Sequence, residues 1–219
     1  MQDFLRRALA EFSGTALLVT VVVGSGIMGT NLSNDLGVAL LINASSTIFA
    51  LALLIYALAP ISGAHFNPVV SLVELTQGRI RPLQAFVYVI SQFAGAILGS
   101  VVANFMFDLP ALQVSTHYRV TPGTFVGEVI ATAGLVSVIG LLVSRNRQQL
   151  IPVAVAAWIG SAYFFTSSTA FANPAVTIGR IFTNTFAGIA PESVLPFIAA
   201  QVIGAILGML LTKGKSNVR

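Results

Sequence analysis

The chain has 219 residues, 56% of them hydrophobic and only 8% charged, with a formal net charge of +4. Soluble domains carry roughly 25% charged residues, so this composition excludes a water-soluble core, and the absence of cysteine excludes a disulfide framework and thiol chemistry. The pI near 10.0 does not point to nucleic acid, because the basic residues form no patch and instead mark the ends of uncharged runs, where they report topology.

Residues 12–34, 36–64, 82–107, 148–179 and 193–212 contain no Asp, Glu, Lys or Arg. Each is long enough for a membrane span of about 20 residues. A sixth stretch, 123–144, holds the single carboxylate Glu128. The fold class is therefore an all-α, multi-pass membrane protein. Arg6 and Arg7 lead straight into the first span without an A-x-A-like site, so no cleavable signal is expected.

In chain order, the first span covers 5–28 and ends in a polar turn. The second covers about 36–59 and is expected to stop at Pro60. Ser62-Gly63-Ala64-His65-Phe66-Asn67-Pro68-Val69 follows, with helical spacing only to about Gly78. That length is too short to cross a bilayer and suits a re-entrant half-helix. Pro82 opens the third span, to about Phe107. Residues 108–122 form a polar linker, and the fourth span runs over about 123–144. The fifth starts near Pro152 and reaches about Phe165. A small, polar approach then leads to Phe171-Ala172-Asn173-Pro174-Ala175 and a short helix to about Phe182. After a loop containing Pro191, the sixth span covers 193–212.

The two halves repeat. The segment 92–100 (QFAGAILGS) matches 201–209 (QVIGAILGM) at six of nine positions, and Glu11 and Glu128 take equivalent places in the first and fourth spans. Three spans per half is an odd number, so the second half enters the membrane inverted. The chain reads as one channel domain, 1–219, with repeat 1 at about 1–107, a linker at 108–122 and repeat 2 at about 123–212. Gly95/Gly99 and Gly204/Gly208 are small-xxx-small pairs, expected to pack one half closely on the other. With both termini cytoplasmic, Arg6, Arg7, Arg79, Arg81, Arg145, Arg147, Lys213, Lys215 and Arg219 lie inside, leaving Arg119 and Arg180 outside.

Asparagine and proline suit a helix start, with Asn at the N-cap and Pro at the first helical position. Asn67-Pro68-Val69 and Asn173-Pro174-Ala175 thus begin two half-helices whose N-termini meet at the midplane of an inverted repeat. Helix N-termini carry about half a positive charge, so the meeting point repels cations, including hydronium. The amides of Asn67 and Asn173 add donors. The non-helical residues before them, including Gly63, Ala64, His65, Phe171 and Ala172, present carbonyl acceptors along a water-lined path. Such a path suits small uncharged hydroxylated solutes. No metal site and no cofactor are expected. His65 is read as part of the loop fold, and His117 as solvated.

Ser-Gly-Ala-His-Phe-Asn-Pro-Val, Phe-Ala-Asn-Pro-Ala and Ala-Glu-Phe-Ser-Gly-Thr resemble the signatures of the aquaporins and aquaglyceroporins, the major intrinsic proteins. The resemblance implies six spans, two half-helices, a pore in each subunit and a homotetramer in the plasma (inner) membrane of the cell. It also implies that Glu11 and Glu128 are structural, accepting hydrogen bonds from the re-entrant loops. The family's outer constriction usually has an arginine three residues after the second Asn; here Val176 stands there. Arg180 is a weak substitute, displaced about 6 Å along the helix axis. The other constriction positions fall at Thr47, at Tyr163 or Ala162, and at Ala170, so the constriction lacks the family's cation. The opening should then be wider and less polar. Some bacterial members with Val at this position resemble arsenic-linked channels, which adds undissociated metalloid acids and methylated arsenicals to glycerol-like polyols as candidate solutes.

Three other classes fit these residues less well. An ion-coupled secondary transporter also uses inverted repeats and broken helices, but here no basic residue accompanies the two intramembrane carboxylates. An intramembrane enzyme would need a cysteine, paired histidines or a Ser-His arrangement, and the spans offer none of these. A formate- or nitrite-type channel would not be expected to show the Asn-Pro pairs.

Overall fold

The computed structural model describes residues 2–213; Lys215 and Arg219, assigned above to the cytoplasmic side, lie outside them. Eight α-helices follow in order: α1 (Gln2–Leu32), α2 (Leu36–Ser62), α3 (Pro68–Thr76), α4 (Pro82–Met106), α5 (Pro122–Ser144), α6 (Ile151–Phe165), α7 (Pro174–Gly179) and α8 (Pro191–Thr212). Short 3₁₀ turns lead into α6 and out of α7, at Gln148–Leu150 and Arg180–Phe182. Six helical stretches are long and apolar enough to cross a membrane. The two short helices, α3 and α7, are not.

The helix starts follow local chemistry. Asp35 Oδ1 accepts from Gly37 N and Val38 N at 2.7 and 3.2 Å, and Thr121 and Thr124 form a reciprocal capping box. Pro68, Pro82, Pro122, Pro174 and Pro191 each open a helix, where the missing N–H costs nothing. Pro60 behaves differently from the expectation that it would stop α2. The helix runs two residues further, to Ser62, and closes on Gly63, whose φ of 94° is left-handed and whose N–H bonds Ala59 O at 3.0 Å. A proline in the last turn removes one backbone bond, and the turn around it survives.

The small-residue pairs pack within each half, not between the halves. A Cβ on Gly95 or Gly99 of α4 would strike the carbonyls of Phe12 and Ala16 of α1, and one on Gly208 of α8 would sit 2.6 Å from Ala133 O of α5. This corrects the expectation that these glycines join the two repeats. Each is the seam between the first and third span of its own repeat, and a hydroxyl reinforces both: Thr20 Oγ1 donates to Gly99 O at 3.2 Å and Ser137 Oγ to Gly208 O at 3.4 Å. The halves meet instead along α2 and α6, where Gly160 rests against Ile48, and through the half-helices. Gly179 of α7 rests against the backbone of Ala96, and Ser100 Oγ donates to Gly179 O at 2.7 Å. Trp158 sits over Gly134 and donates to Ala131 O at 2.8 Å, tying α6 to α5.

Outward faces carry large apolar side chains such as Phe49, Leu53, Phe86, Phe105 and Leu195. In water such a surface would aggregate; in a bilayer it suits contact with lipid. The linker after α4 is folded down rather than free: Ser115 N donates to Ile181 O at 2.9 Å and Ala190 N to His117 O at 2.8 Å.

Candidate functional site

The two Asn-Pro turns are built alike. Asn67 and Asn173 have extended backbones, and each side-chain oxygen caps its own helix: Asn67 Oδ1 accepts from Val69 N at 3.1 Å, Asn173 Oδ1 from Ala175 N at 2.9 Å. Each amide nitrogen then crosses to the other repeat. Asn67 Nδ2 donates to Ala172 O and Asn173 Nδ2 to Phe66 O, both at 2.8 Å. An amide has two N–H donors, so one on each asparagine remains for whatever occupies the space between them. Pro68, Val69, Pro174 and Ala175 do not face that space. They are buried behind it, where they form the helix ends that the asparagines cap.

The loops before the asparagines are strained in matching places. The residues four, three and one before Asn67 (Gly63, Ala64, Phe66) and before Asn173 (Thr169, Ala170, Ala172) all have positive φ. For a non-glycine residue that conformation costs roughly 1–2 kcal/mol. Two buried carboxylates hold it in place. Glu11 accepts from His65 N at 2.9 Å and Phe66 N at 2.7 Å; Glu128 accepts from Phe171 N at 2.8 Å and Ala172 N at 2.9 Å. A glutamine donates to each in turn, Gln92 to Glu11 at 2.8 Å and Gln201 to Glu128 at 2.6 Å. The same glutamines reach Ser71 Oγ in α3 and Thr177 Oγ1 in α7, each at 2.9 Å. Gln92 and Gln201 open the two repeated segments, and their role is not evident from the sequence pattern alone. Their polarity at equivalent positions in two apolar spans was the available signal.

A cavity of about 210 Å³ runs past both asparagines. Its lining is aliphatic at Leu18, Val22, Leu51, Ile55, Val155 and Ile159. It also includes Gly63, Ala64, His65, Ala170 and Phe171, whose carbonyls accept no hydrogen bond from the described residues. The carbonyl of Ala172, expected among these free acceptors, is instead taken by Asn67. His65 lines the cavity while Nδ1 pairs with Ser71 Oγ at 3.0 Å and its ring meets Tyr88 edge-on at 5.3 Å. At the α3 end Glu74 joins the lining and is paired with Arg79 at 2.7 Å.

At the α7 end the cavity is lined by Thr47, Tyr163, Ala170 and Val176. Of the two α6 candidates, Tyr163 faces the cavity and its hydroxyl donates to Thr47 Oγ1 at 3.3 Å; Ala162 is fully buried and does not line it. Arg180 lines the cavity too. This differs from the expectation of a mouth without a cation. A helical side chain leans toward its own N-terminus, which for α7 is the centre of the molecule, so the length of the arginine offsets its later position. Its guanidinium carbon sits 3.4 Å from the Phe171 ring centroid and Nε donates to Ala187 O. Arg119, from the linker, approaches the same ring at 5.5 Å and donates to Gly188 O and Phe186 O at 2.6 and 2.7 Å. Burial holds the Arg119 guanidinium below the ordinary arginine range. His117 is exposed, as read from the sequence.

The sequence pattern of the Major intrinsic protein family matches residues 1–170. The chain is 46% identical over 211 residues to the Aquaglyceroporin AqpS of Rhizobium meliloti (strain 1021), covering 96% of this chain and 90% of that one. Aquaporin C of Dictyostelium discoideum is 32% identical over 199 residues, covering 84% of this chain and 72% of its own. The crystal structure of the aquaglyceroporin from Plasmodium falciparum superposes with a TM-score of 0.73 at 23% identity, over 96% of both chains, a likeness of fold.

Proposed function

The chain belongs to the Major intrinsic protein family, and we propose that this channel carries water and glycerol-like polyols passively past Asn67 and Asn173. The observation that carries the reading is the pair of crossed amides: each asparagine keeps one N–H free, at the point where two helix N-termini meet. A hydroxyl oxygen placed there accepts both donors, and its own protons are turned away toward the free carbonyls on either side. Donors at the centre and acceptors beyond it interrupt any chain of hydrogen bonds along which a proton could hop. Cations meet the positive helix ends and an aliphatic wall that does not replace their hydration.

Val176 in place of a bulky donor group favours solutes larger than water that have apolar parts. Undissociated metalloid acids and methylated arsenicals fall in that class alongside glycerol. The clustering of Arg6, Arg7, Arg79, Arg81, Arg145 and Arg147 at span ends supports cytoplasmic termini, and a homotetramer in the plasma membrane is proposed from the family membership. A transporter reading needs a carboxylate that exchanges ions. Both intramembrane carboxylates are occupied by backbone donors, which favours the passive channel.

Stopped-flow light scattering on proteoliposomes, comparing water, glycerol, urea and arsenite with protein-free vesicles, tests this. Glycerol and arsenite should enter far faster than in the controls. Water alone being accelerated would contradict the proposed solute range.

A further inference from the structure

The mouth beside α7 holds two guanidinium groups and no carboxylate. Arg180 and Arg119 flank the Phe171 ring at 3.4 and 5.5 Å. The ion pairs among the described residues, Asp3–Arg7 and Glu74–Arg79, involve neither. The two arginines hold three successive carbonyls of one loop, Phe186, Ala187 and Gly188, but the division is unequal. Arg119 uses Nε and Nη2, whereas Arg180 uses Nε alone, and its two terminal nitrogens have no acceptor among the described residues. Arg180 is only 4% exposed, and the little surface it has faces the cavity. Thr47, on the same lining, accepts from Tyr163 and makes no described bond with its own proton, so a further O–H donor is left over.

Two like charges at one ring, Arg180 buried and Arg119 partly so, with neither in an ion pair among the described residues, are costly, and carbonyl dipoles offset only part of that. Forked N–H donors, an O–H donor and positive charge outside any ion pair together match an oxygen-rich anion. Leu51 and Ile159 on the same lining offer such an anion no hydrogen bond, so Arg180 and Thr47 are the groups that would hold it at the mouth.

We infer that the α7 mouth is a binding site for a small oxyanion, a monoanionic carboxylate, phosphonate or sulfonate, which docks on the free terminal nitrogens of Arg180 and obstructs the passage of neutral solutes. The obstruction rests on the proposed solute path; the binding does not.

Methanesulfonate, anionic at all accessible pH, is the probe. Ligands that bind the folded state raise its Tm, so the detergent-solubilised protein should be stabilised as methanesulfonate is added at constant ionic strength. In Arg180→Met the apparent Kd should rise roughly tenfold or more, the usual result of removing a charged hydrogen-bond donor. In proteoliposomes, methanesulfonate should slow glycerol entry through the wild type and leave Arg180→Met unaffected. Arg180→Lys keeps the charge without the fork; a weakened response supports the site, and an unchanged one overturns it, which decides the matter if Arg180→Met does not fold. Equal Tm shifts in wild type and Arg180→Met, or none in the wild type, overturn the site. Binding without any glycerol flux would leave the site standing and overturn the solute range.

Discussion

The two re-entrant segments share one construction at their tips and diverge at their mouths. Around Asn67 and Asn173 the matches are residue for residue: the same positive-φ positions, a glutamate on the same two backbone N–H groups, a glutamine on that glutamate, and a hydroxyl on the half-helix below. Away from the tips the likeness ends. α3 runs nine residues and leads to a paired carboxylate, Glu74 with Arg79; α7 runs six, then tightens into a 3₁₀ turn that returns Arg180 to the cavity. What is built twice is the scaffold that lets irregular backbone lie inside a membrane. What is built once is where one mouth is made different from the other, and the proposed selectivity rests there.

The largest effects should come from attacking what is shared. Glu11→Ala and Glu128→Ala each strand two buried backbone N–H groups, at roughly 1–3 kcal/mol apiece. Both variants should lose much of their yield and Tm in detergent, to a similar degree. If one were tolerated and the other not, the two tips would not be equivalent. Next come the seams. Gly99→Val and Gly208→Val push a side chain into the backbone of α1 and α5 respectively, and overpacking of this kind costs about 1–3 kcal/mol. Matched losses in thermal stability are expected from the pair.

Changes at the mouths should alter function more than folding. Val176→Arg adds a second guanidinium to a lining that already has Arg180, and should slow glycerol and arsenite more than water in stopped-flow traces. Equal losses for all solutes, in a protein of normal Tm, would remove Val176 as a determinant. The smallest effect is expected at the other mouth. The Glu74–Arg79 pair is partly exposed, so Arg79→Met should cost no more than about 1 kcal/mol and leave the order of solute permeabilities unchanged.

Most of the scaffold was legible because it rests on local rules. Uncharged length placed the spans, and Asn followed by Pro placed the two half-helix starts. The repeat of Glu11 and Glu128 pointed to a shared task. What was not legible depends on which surfaces meet. Gly95 and Gly204 announce close packing but not their partner, so the seam was assigned between the halves when it lies within each. The reach of Arg180 depends on a side chain leaning back along a short helix, which axial spacing alone does not convey. The engagement of the Ala172 carbonyl by Asn67 joins residues far apart in sequence, and no local pattern announces it.

The crossed asparagines are proposed to pass neutral solutes downhill and to stop protons. The most direct measurement follows glycerol entry and internal pH together in the same proteoliposomes, with and without an imposed proton gradient. Glycerol should equilibrate to the external concentration at a rate indifferent to the gradient, with internal pH drifting no faster than in protein-free vesicles. Accumulation above the external concentration under the gradient, or a proton flux that tracks the glycerol flux, would contradict the account.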